Sequence, residues 1–425
     1  MQAATLLEQY RAVRKQSEAL CRTLEIEDYG VQPMDDASPP KWHLAHVSWF
    51  FETFILCQFG ETYQRFHPRF EYLFNSYYNG VGTPFPRPQR GFLSRPTVAE
   101  VMAYRQHVDR AMSALLEAAP QHPEVLQRVQ LGIHHEQQHQ ELLLTDIKYN
   151  FGHNPLFPAL IPPLTEVLGD ATPADRAASD LAFSAFAGGI HEVGIDAVDE
   201  QFKFDNECPR HEVLIRPFAM ANRVISNEDF LEFMQDGGYQ RAELWLSEGW
   251  STVQSQGWQQ PLYWHQVDGE WFEYRLDGLH ALDLHLPAVH ISGHEAYAFA
   301  QWRGLRLPTE FEWEVAAAEL ELDQPSGYVE SGRGHPHGYT GDHQLQQLFG
   351  CVWQWTASSY APYPGFKPLP GTLGEYNGKF MSSQLVLRGG SCATPRSHLR
   401  KTYRNFFYPP DRWQFSGIRL AQDLD

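Results

Sequence analysis

One discontinuity constrains this chain more than any other feature. Apolar residues recur at helical spacing up to about residue 153, and there the pattern gives out. From about Asn154 to Ser179 the composition turns to Pro, Ala and Asp, which reads as a linker. Beyond it come short alternating runs rich in Gly and Trp, such as "FAGGIHEVGI", "HEVLIRPFAMANRVI", "QLVLRGGSCA" and "FSGIRLA". One clear helical stretch, "SGHEAYAFAQWRGL", and another, "PTEFEWEVAAAE", interrupt them. A chain of 425 residues is too long for one small core. The expected architecture is therefore α followed by α+β: a helical unit over 1–153, a linker over 154–180 and a mixed unit over 181–425.

The helical unit reads as four helices. Leu6 to Leu24 has helical spacing. In "DDASPPKWHLAHVSWFFETFIL", Ser38 reads as an N-cap and Pro39 as a first-turn proline. Trp42, Ala45, His46, Trp49 and Phe50 then follow on one face. A third helix covers roughly Val98 to Glu117, and a fourth carries "GIHHEQQHQELLLTDIKYNF", residues 132–151. Four helices with long connections make a bundle, where metal sites are built by inward side chains of facing helices. The connection from Glu61 to Pro96 is long but rich in Tyr, Phe, Pro and Arg, so it reads as a structured binding loop.

Bulk properties exclude several functions. A net charge of −19 without a basic stretch argues against nucleic acid. Five scattered cysteines without a CxxC pair are neither a disulfide framework nor a thiolate zinc site. The first twenty residues form a charged amphipathic stretch with no apolar core of a signal peptide, and no uncharged apolar run approaches a membrane span. The expectation is a soluble, reduced, cytoplasmic protein.

The chemistry concentrates on histidines. His135 and His139 lie four apart, about 40° from each other on one helical face, so two imidazoles can grip one ion. His46 lies on the apolar stripe of the second helix and is the candidate third ligand, with His43 as a rival to one side of that stripe. Three imidazoles leave open positions, as a catalytic metal needs, and suit Zn, Fe, Cu or Ni. The string His135-Glu136-Gln137-Gln138-His139 also fits the H-E-x-x-H pattern of zinc peptidases, with Glu136 as base. Downstream there is no third histidine or turn signature at a peptidase-like distance, and Asp146 is a weak substitute. Spacing alone leaves zinc open.

Two further groups stand out. The loop "NSYYNGVGTPFPRPQRG" holds Tyr77, Tyr78, Arg87 and Arg90. Its arginines can fork onto a carboxylate, and its tyrosines can donate protons. Near the C-terminus, Asn405 can donate and accept at once, while Phe406, Phe407 and Trp413 offer faces that suit a quaternary ammonium group. Cys208, Cys351 and Cys392 have no visible activating neighbour and read as structural.

Several stretches together, among them "KWHLAHVSWFFE", "FNSYYN", "HHEQQHQELLLTD", "RLPTEFEWEVAA", "GEYNGKF", "LRGGSCATPRSHLRKTYRNFF" and "RWQFSGIRLA", resemble the ergothioneine-type sulfoxide synthases. Those are non-haem iron enzymes that join a DinB-like bundle to a domain of the formylglycine-generating-enzyme, C-type-lectin-like kind. The resemblance spans about residues 5 to 422. It implies Fe(II) held by His46, His135 and His139. It implies Gln138 and Asn405 on the imidazole of hercynine, the trimethylated histidine, with its ammonium near Phe406, Phe407 and Trp413. It further implies Arg87 and Arg90 on the carboxylate of a thiol donor, cysteine or γ-glutamylcysteine, and Tyr77 and Tyr78 at the oxygen side, Tyr78 as proton donor. The implied reaction takes dioxygen and forms a C–S bond at imidazole C2, giving a sulfoxide; a related branch forms a C–Se bond with a selenosugar. Cys208, Cys351, Gln354 and the pair Gly293-His294 depart from the family pattern and leave the donor's identity open. The rival classes are a zinc hydrolase and a non-catalytic binding module.

Overall fold

Paired prolines decide where the second helix starts. In the computed structural model, which describes residues 3–118, 122–162, 181–318, 320, 322, 327–338 and 345–424, helix α2 is Pro40–Phe51. Its N-cap is Pro39, extended at φ −60° and ψ 144°, without a side-chain cap. The expected Ser38 cap is thus corrected: Pro40 takes the first-turn position, where a missing N–H costs nothing. Ser38 instead donates its backbone N–H to Asp146 and receives Arg90 on its hydroxyl.

Helices α1 (Ala3–Leu20), α3 (Val98–Ala118) and α4 (Pro123–Gly152) complete the set. On α1 the buried positions are Leu6, Leu7, Tyr10, Arg14 and Ser17, a stripe at helical spacing. On α3 they are Val101, Tyr104, Arg105, Val108, Met112 and Leu116. Helix α2 is buried on every side, so it is the central rod, packed against α3 and α4. It runs on into a π-turn, Glu52–Leu56, whose Glu52 carboxylate accepts the hydroxyls of Tyr63 and Tyr104. The 61–96 connection is ordered by a short helix, Phe70–Phe74, and a 3-10 turn, Arg87–Phe92.

The chain divides into two units: Met1–Pro155 with Leu369–Tyr376, and Leu156–Pro368 with Asn377–Asp425. Residues 369–376 thus belong with the helical unit despite their place in the sequence. Most of the expected linker, 163–180, lies outside the described residues.

The second unit is built on small sheets. Strands β1 (Phe183–Phe186), β4 (Phe218–Ala221) and β12 (Ala421–Asp423) form one, in the order β1-β4-β12. Strands β8 (Trp353–Ser359), β9 (Leu385–Arg388), β10 (Asn405–Phe407) and β11 (Ser416–Gly417) form another, β10-β9-β8-β11. A hairpin pairs β2 (Gly189–Val193) with β3 (His211–Ile215), and β5 (Trp264–Val267), β6 (Glu270–Arg275) and β7 (Gly278–Ala281) make a meander. Helices α7 (Gly293–Trp302) and α8 (Glu310–Ala317) fall where the sequence indicates; α5 (Asn227–Gln235) and α6 (Ser247–Gln256) are additional. The "RGG" motif has a local cause. Gly389 has φ +102°, and a Cβ there would lie 2.3 Å from the Leu348 carbonyl oxygen.

Gln354, one of the departures from the family pattern, is fully buried with its amide used at both ends. Its oxygen accepts from Trp313 and Arg419, and its nitrogen donates to the carbonyls of Leu348 and Gln347. A carboxylate could not donate to those carbonyls. Among the described residues, no helix is long and apolar enough to cross a membrane.

Candidate metal centre

Helix α2 presents His43 and His46 one turn apart, and α4 presents His135 and His139 one turn apart. One nitrogen from each of His46, His135 and His139 lies within 4.8 Å of the others; among the described residues no other set of three His, Cys, Asp or Glu side chains converges this way. His46 and His135 are buried at 0% and 2% exposure, and the Nε2 atoms of the two rings face each other at 3.2 Å. His46 Nδ1 donates to the Phe74 carbonyl at 2.6 Å, which fixes that ring's proton on Nδ1 and leaves Nε2 as a lone pair. His43 stands outside the trio: its Nδ1 is 2.9 Å from His139 Nδ1, and its Nε2 is 2.9 Å from Asp146. His46 stacks on Trp42 with ring centroids 4.6 Å apart, and His135 on Phe50 at 4.4 Å.

This environment favours neutral rings. Burial, and then the neighbouring His135, push His46 well below its ordinary pKa. Burial pushes His135 down to about 3. Burial, then His46 and His135, push His139 down as well. Neutral imidazoles crowded nitrogen to nitrogen are the ligand form of histidine, and among the described residues no carboxylate joins the trio.

Glu136, the base that a zinc peptidase would require, has no freedom to act. Its Oε2 accepts from Arg14 and its Oε1 from Ser17 and Arg105, at 3.0, 2.7 and 3.1 Å. Burial alone would raise its pKa; Arg14 and Arg105 outweigh that and hold the carboxyl below its usual value. It is the anion of a buried structural cluster, one helical position away from the histidine face.

The tyrosine loop is shaped by Asn75, whose side chain accepts from the Tyr78 N–H and donates to the Tyr78 and Gly82 carbonyls. Tyr78 is fully buried beside Trp49 and stacks on Tyr77, the two hydroxyls 3.5 Å apart. Burial, then Tyr77, push the Tyr78 hydroxyl well above its ordinary pKa.

The two arginines differ from each other. Arg87 is half exposed and faces Asp36 at 3.7 Å. Arg90 is 2% exposed, lies 3.4 Å over the Trp42 ring and donates to Ser38 and Ser76, while its Nε has no partner among the described residues. Burial, then Arg87, push its pKa down, the mark of a buried cation short of negative charge.

Gln138 accepts a hydrogen bond from the hydroxyl of Tyr376, a buried residue of the 369–376 segment whose ring lies 5.8 Å from that of His135. The segment is tied down by Glu375, which accepts the N–H groups of Asn79 and Gly80. Sequence reasoning missed Tyr376; the stretch "GEYNGKF" was a signal for the family but not for a place in the helical unit. It also left His43 as a rival ligand and did not foresee its bond to His139.

Asn405, Phe406, Phe407 and Trp413 lie in the second unit. Asn405 Oδ1 accepts the Phe406 N–H. Phe406 stacks on Tyr360 at 4.1 Å, and Phe407 meets Trp413 edge-on at 6.1 Å. One face of Phe406 is therefore taken by packing. The thiols of Cys208 and Cys351 are raised by burial to about 11 and about 12, which keeps them unreactive.

Residues 9–143 match the DinB superfamily, and residues 171–424 match the sulfatase-modifying factor enzyme 1-like domain. A hercynine oxygenase of Mycolicibacterium smegmatis is 33% identical over 321 residues, 70% of this chain and 72% of that one. A hercynine oxygenase of Mycobacterium tuberculosis is 30% identical over 445 residues, 96% of this chain and 97% of that one. Ergothioneine biosynthesis protein 1 of Schizosaccharomyces pombe is 29% identical over 239 residues, 53% of this chain and 28% of that one. With both domain types in order and similarity along nearly its full length, the chain belongs to the ergothioneine-type sulfoxide synthase family, to which the hercynine oxygenases belong.

Proposed function

We propose that this protein is an iron(II)- and dioxygen-dependent enzyme that joins hercynine, at imidazole C2, to the sulfur of cysteine or γ-glutamylcysteine, giving a hercynyl sulfoxide. The observation that carries the reading is the convergence of three neutral imidazoles while Glu136 is locked in an ion cluster. The similarity to hercynine oxygenases and to an ergothioneine biosynthesis protein supports hercynine as substrate and this pathway.

His46, His135 and His139 would hold the ion. Ferrous iron there supplies the activation of dioxygen and the acidification of a bound thiol. Three neutral imidazoles would bring no charge of their own to the ion, which suits a site that takes an anionic thiol substrate and is a physical reason for three histidines. Gln138, oriented by the Tyr376 hydroxyl on its amide oxygen, is proposed to hold the hercynine ring. Tyr78 stays protonated far above neutral pH, so it is suited to donate a proton rather than to take one, with Tyr77 beside it. Arg90, buried and with an unpartnered Nε, is the stronger of the two candidates for the donor's carboxylate; Arg87 adds charge nearby. Asn405, Phe406, Phe407 and Trp413 keep a proposed role in recognising the imidazole and trimethylammonium groups, on their chemistry alone.

The test is oxygen uptake by anaerobically purified, iron-analysed protein with hercynine held constant and the donor varied among cysteine, γ-glutamylcysteine and a selenosugar, read by product mass. Iron with uptake that requires both substrates is the expected result. Zinc with hydrolytic activity, or uptake independent of hercynine, would sink the proposal. A seleno-product in place of the sulfoxide would move the protein to the C–Se branch.

A further inference from the structure

We propose that His43 and Asp146 form a carboxylate–imidazole relay that fixes His139 in the tautomer presenting Nε2 to the metal, which makes both of them positioning residues of the centre. The inference rests on the metal-centre reading above and deepens it.

His43 is 4% exposed and has both ring nitrogens engaged, Nε2 with Asp146 Oδ2 and Nδ1 with His139 Nδ1, each at 2.9 Å. A carboxylate only accepts, so in a neutral ring the hydrogen of His43 sits on Nε2. His43 Nδ1 is then a lone pair. His139 Nδ1 must donate to it, and the lone pair of His139 is left on Nε2. Asp146 is itself held, because the same Oδ2 accepts the Ser38 N–H at 2.8 Å. Ser38 stands just before α2, so the relay ties the start of one ligand-bearing helix to the ligand on the other.

The three ligands are thereby supported unequally. His46 is oriented by a backbone carbonyl, His139 by a carboxylate acting through a second imidazole, and His135 Nδ1 has no partner among the described residues. The relay is also the route by which a negative charge reaches a ligand set that contains none. Outer partners of this kind fix ring orientation and raise ligand basicity, and their loss costs about 10- to 100-fold in metal affinity.

The experiment uses metal-free full-length protein titrated with Co(II) against a competing chelator, with the visible absorption bands recorded. The wild type is expected to bind. His43→Phe, which keeps a ring of similar size without nitrogens, should bind about 10- to 100-fold more weakly with shifted bands. Asp146→Asn keeps an acceptor for Ser38 and His43 but drops the charge, so it should show a smaller loss in the same direction. Val108→Ala, a cavity variant on α3, which carries none of the trio or relay residues, controls for lost stability and should leave affinity and bands unchanged. Wild-type affinity and bands in His43→Phe would overturn the relay and leave the centre standing. Should His43→Phe fail to fold, unchanged affinity and bands in Asp146→Asn would overturn it equally, as would an affinity loss in Val108→Ala as large as in the relay variants. Absence of Co(II) binding by the wild type would overturn the centre and the relay together.

Discussion

The two sides of α4 meet opposite electrostatic problems and solve them differently. Toward α1, Glu136 and Gln140 are buried with their polar atoms closed off within the protein: Glu136 by Arg14, Arg105 and Ser17, Gln140 by the Val13 carbonyl and Ser17. Toward α2, His46, His135 and His139 turn one nitrogen each toward a common point, with His135 Nε2 3.2 Å from the Nε2 lone pair of His46. A buried polar group left unmatched is costly. The first side reads as structure, complete as folded. The second is the arrangement that, on the proposed function, a cation completes. The lesson is that the H-E-x-x-H string divides its letters between two jobs: its histidines face one neighbour and its glutamate another.

The sharpest way to break this division is His139→Ala. Retained iron should fall by more than about 100-fold, beyond the range for outer partners, while the metal-free protein still melts cooperatively. Full iron occupancy by metal analysis would contradict the assignment of the two sides. The mirror experiment is Glu136→Gln, which leaves Arg14 and Arg105 facing a neutral amide. We expect a loss of about 3–5 kcal/mol in denaturant unfolding, the cost of breaking a buried pair, with iron per folded molecule unchanged. A stable variant that has lost its iron would make Glu136 part of the centre after all.

The same comparison has a pH signature. The Glu136 carboxyl is held below its ordinary value of 4.5 in the folded state. The unfolded chain therefore takes up the proton first as pH falls, so this contribution is present above 4.5 and is lost progressively below it. Melting of metal-free wild type should fall on acidification through that range more steeply than melting of Glu136→Gln; parallel curves would remove Glu136 from the account. The smallest effect concerns the approach to the histidine side. Tyr376→Phe deletes one hydrogen bond to Gln138, worth about 1 kcal/mol, and should raise the hercynine KM roughly 2- to 10-fold while leaving the donor KM alone. An equal rise in both would argue that the segment, rather than the bond, was disturbed.

Legibility in the sequence followed the range of the interactions. The α2 stripe correctly placed His46 among Trp42, Trp49 and Phe50, because helical spacing decides which side chains share a face. The same spacing could not give His43 its partner, since that depends on where α4 lies. Ser38 was misread because a local N-cap rule competes with whatever else a serine can reach; here Pro40 sets the helix start, and Asp146 takes the Ser38 N–H. In the second unit, Ser226 and Asp229 form a capping box that announces α5, a local signal that was present and passed over. The two loop arginines look equivalent in sequence, yet one is half exposed and the other is stacked under the core.

By itself the sequence determined the local terms: which residues turn into helix, that His135 and His139 share a face, and where the helical character ends. Those follow from backbone geometry repeated every few residues. Only the tertiary structure decided that His46 meets that pair, that Arg14 and Arg105 disarm Glu136, and that Tyr376 reaches Gln138 from 238 residues further along the chain. Contacts of that kind depend on how packed elements are placed against each other, and no short-range pattern of residues encodes it.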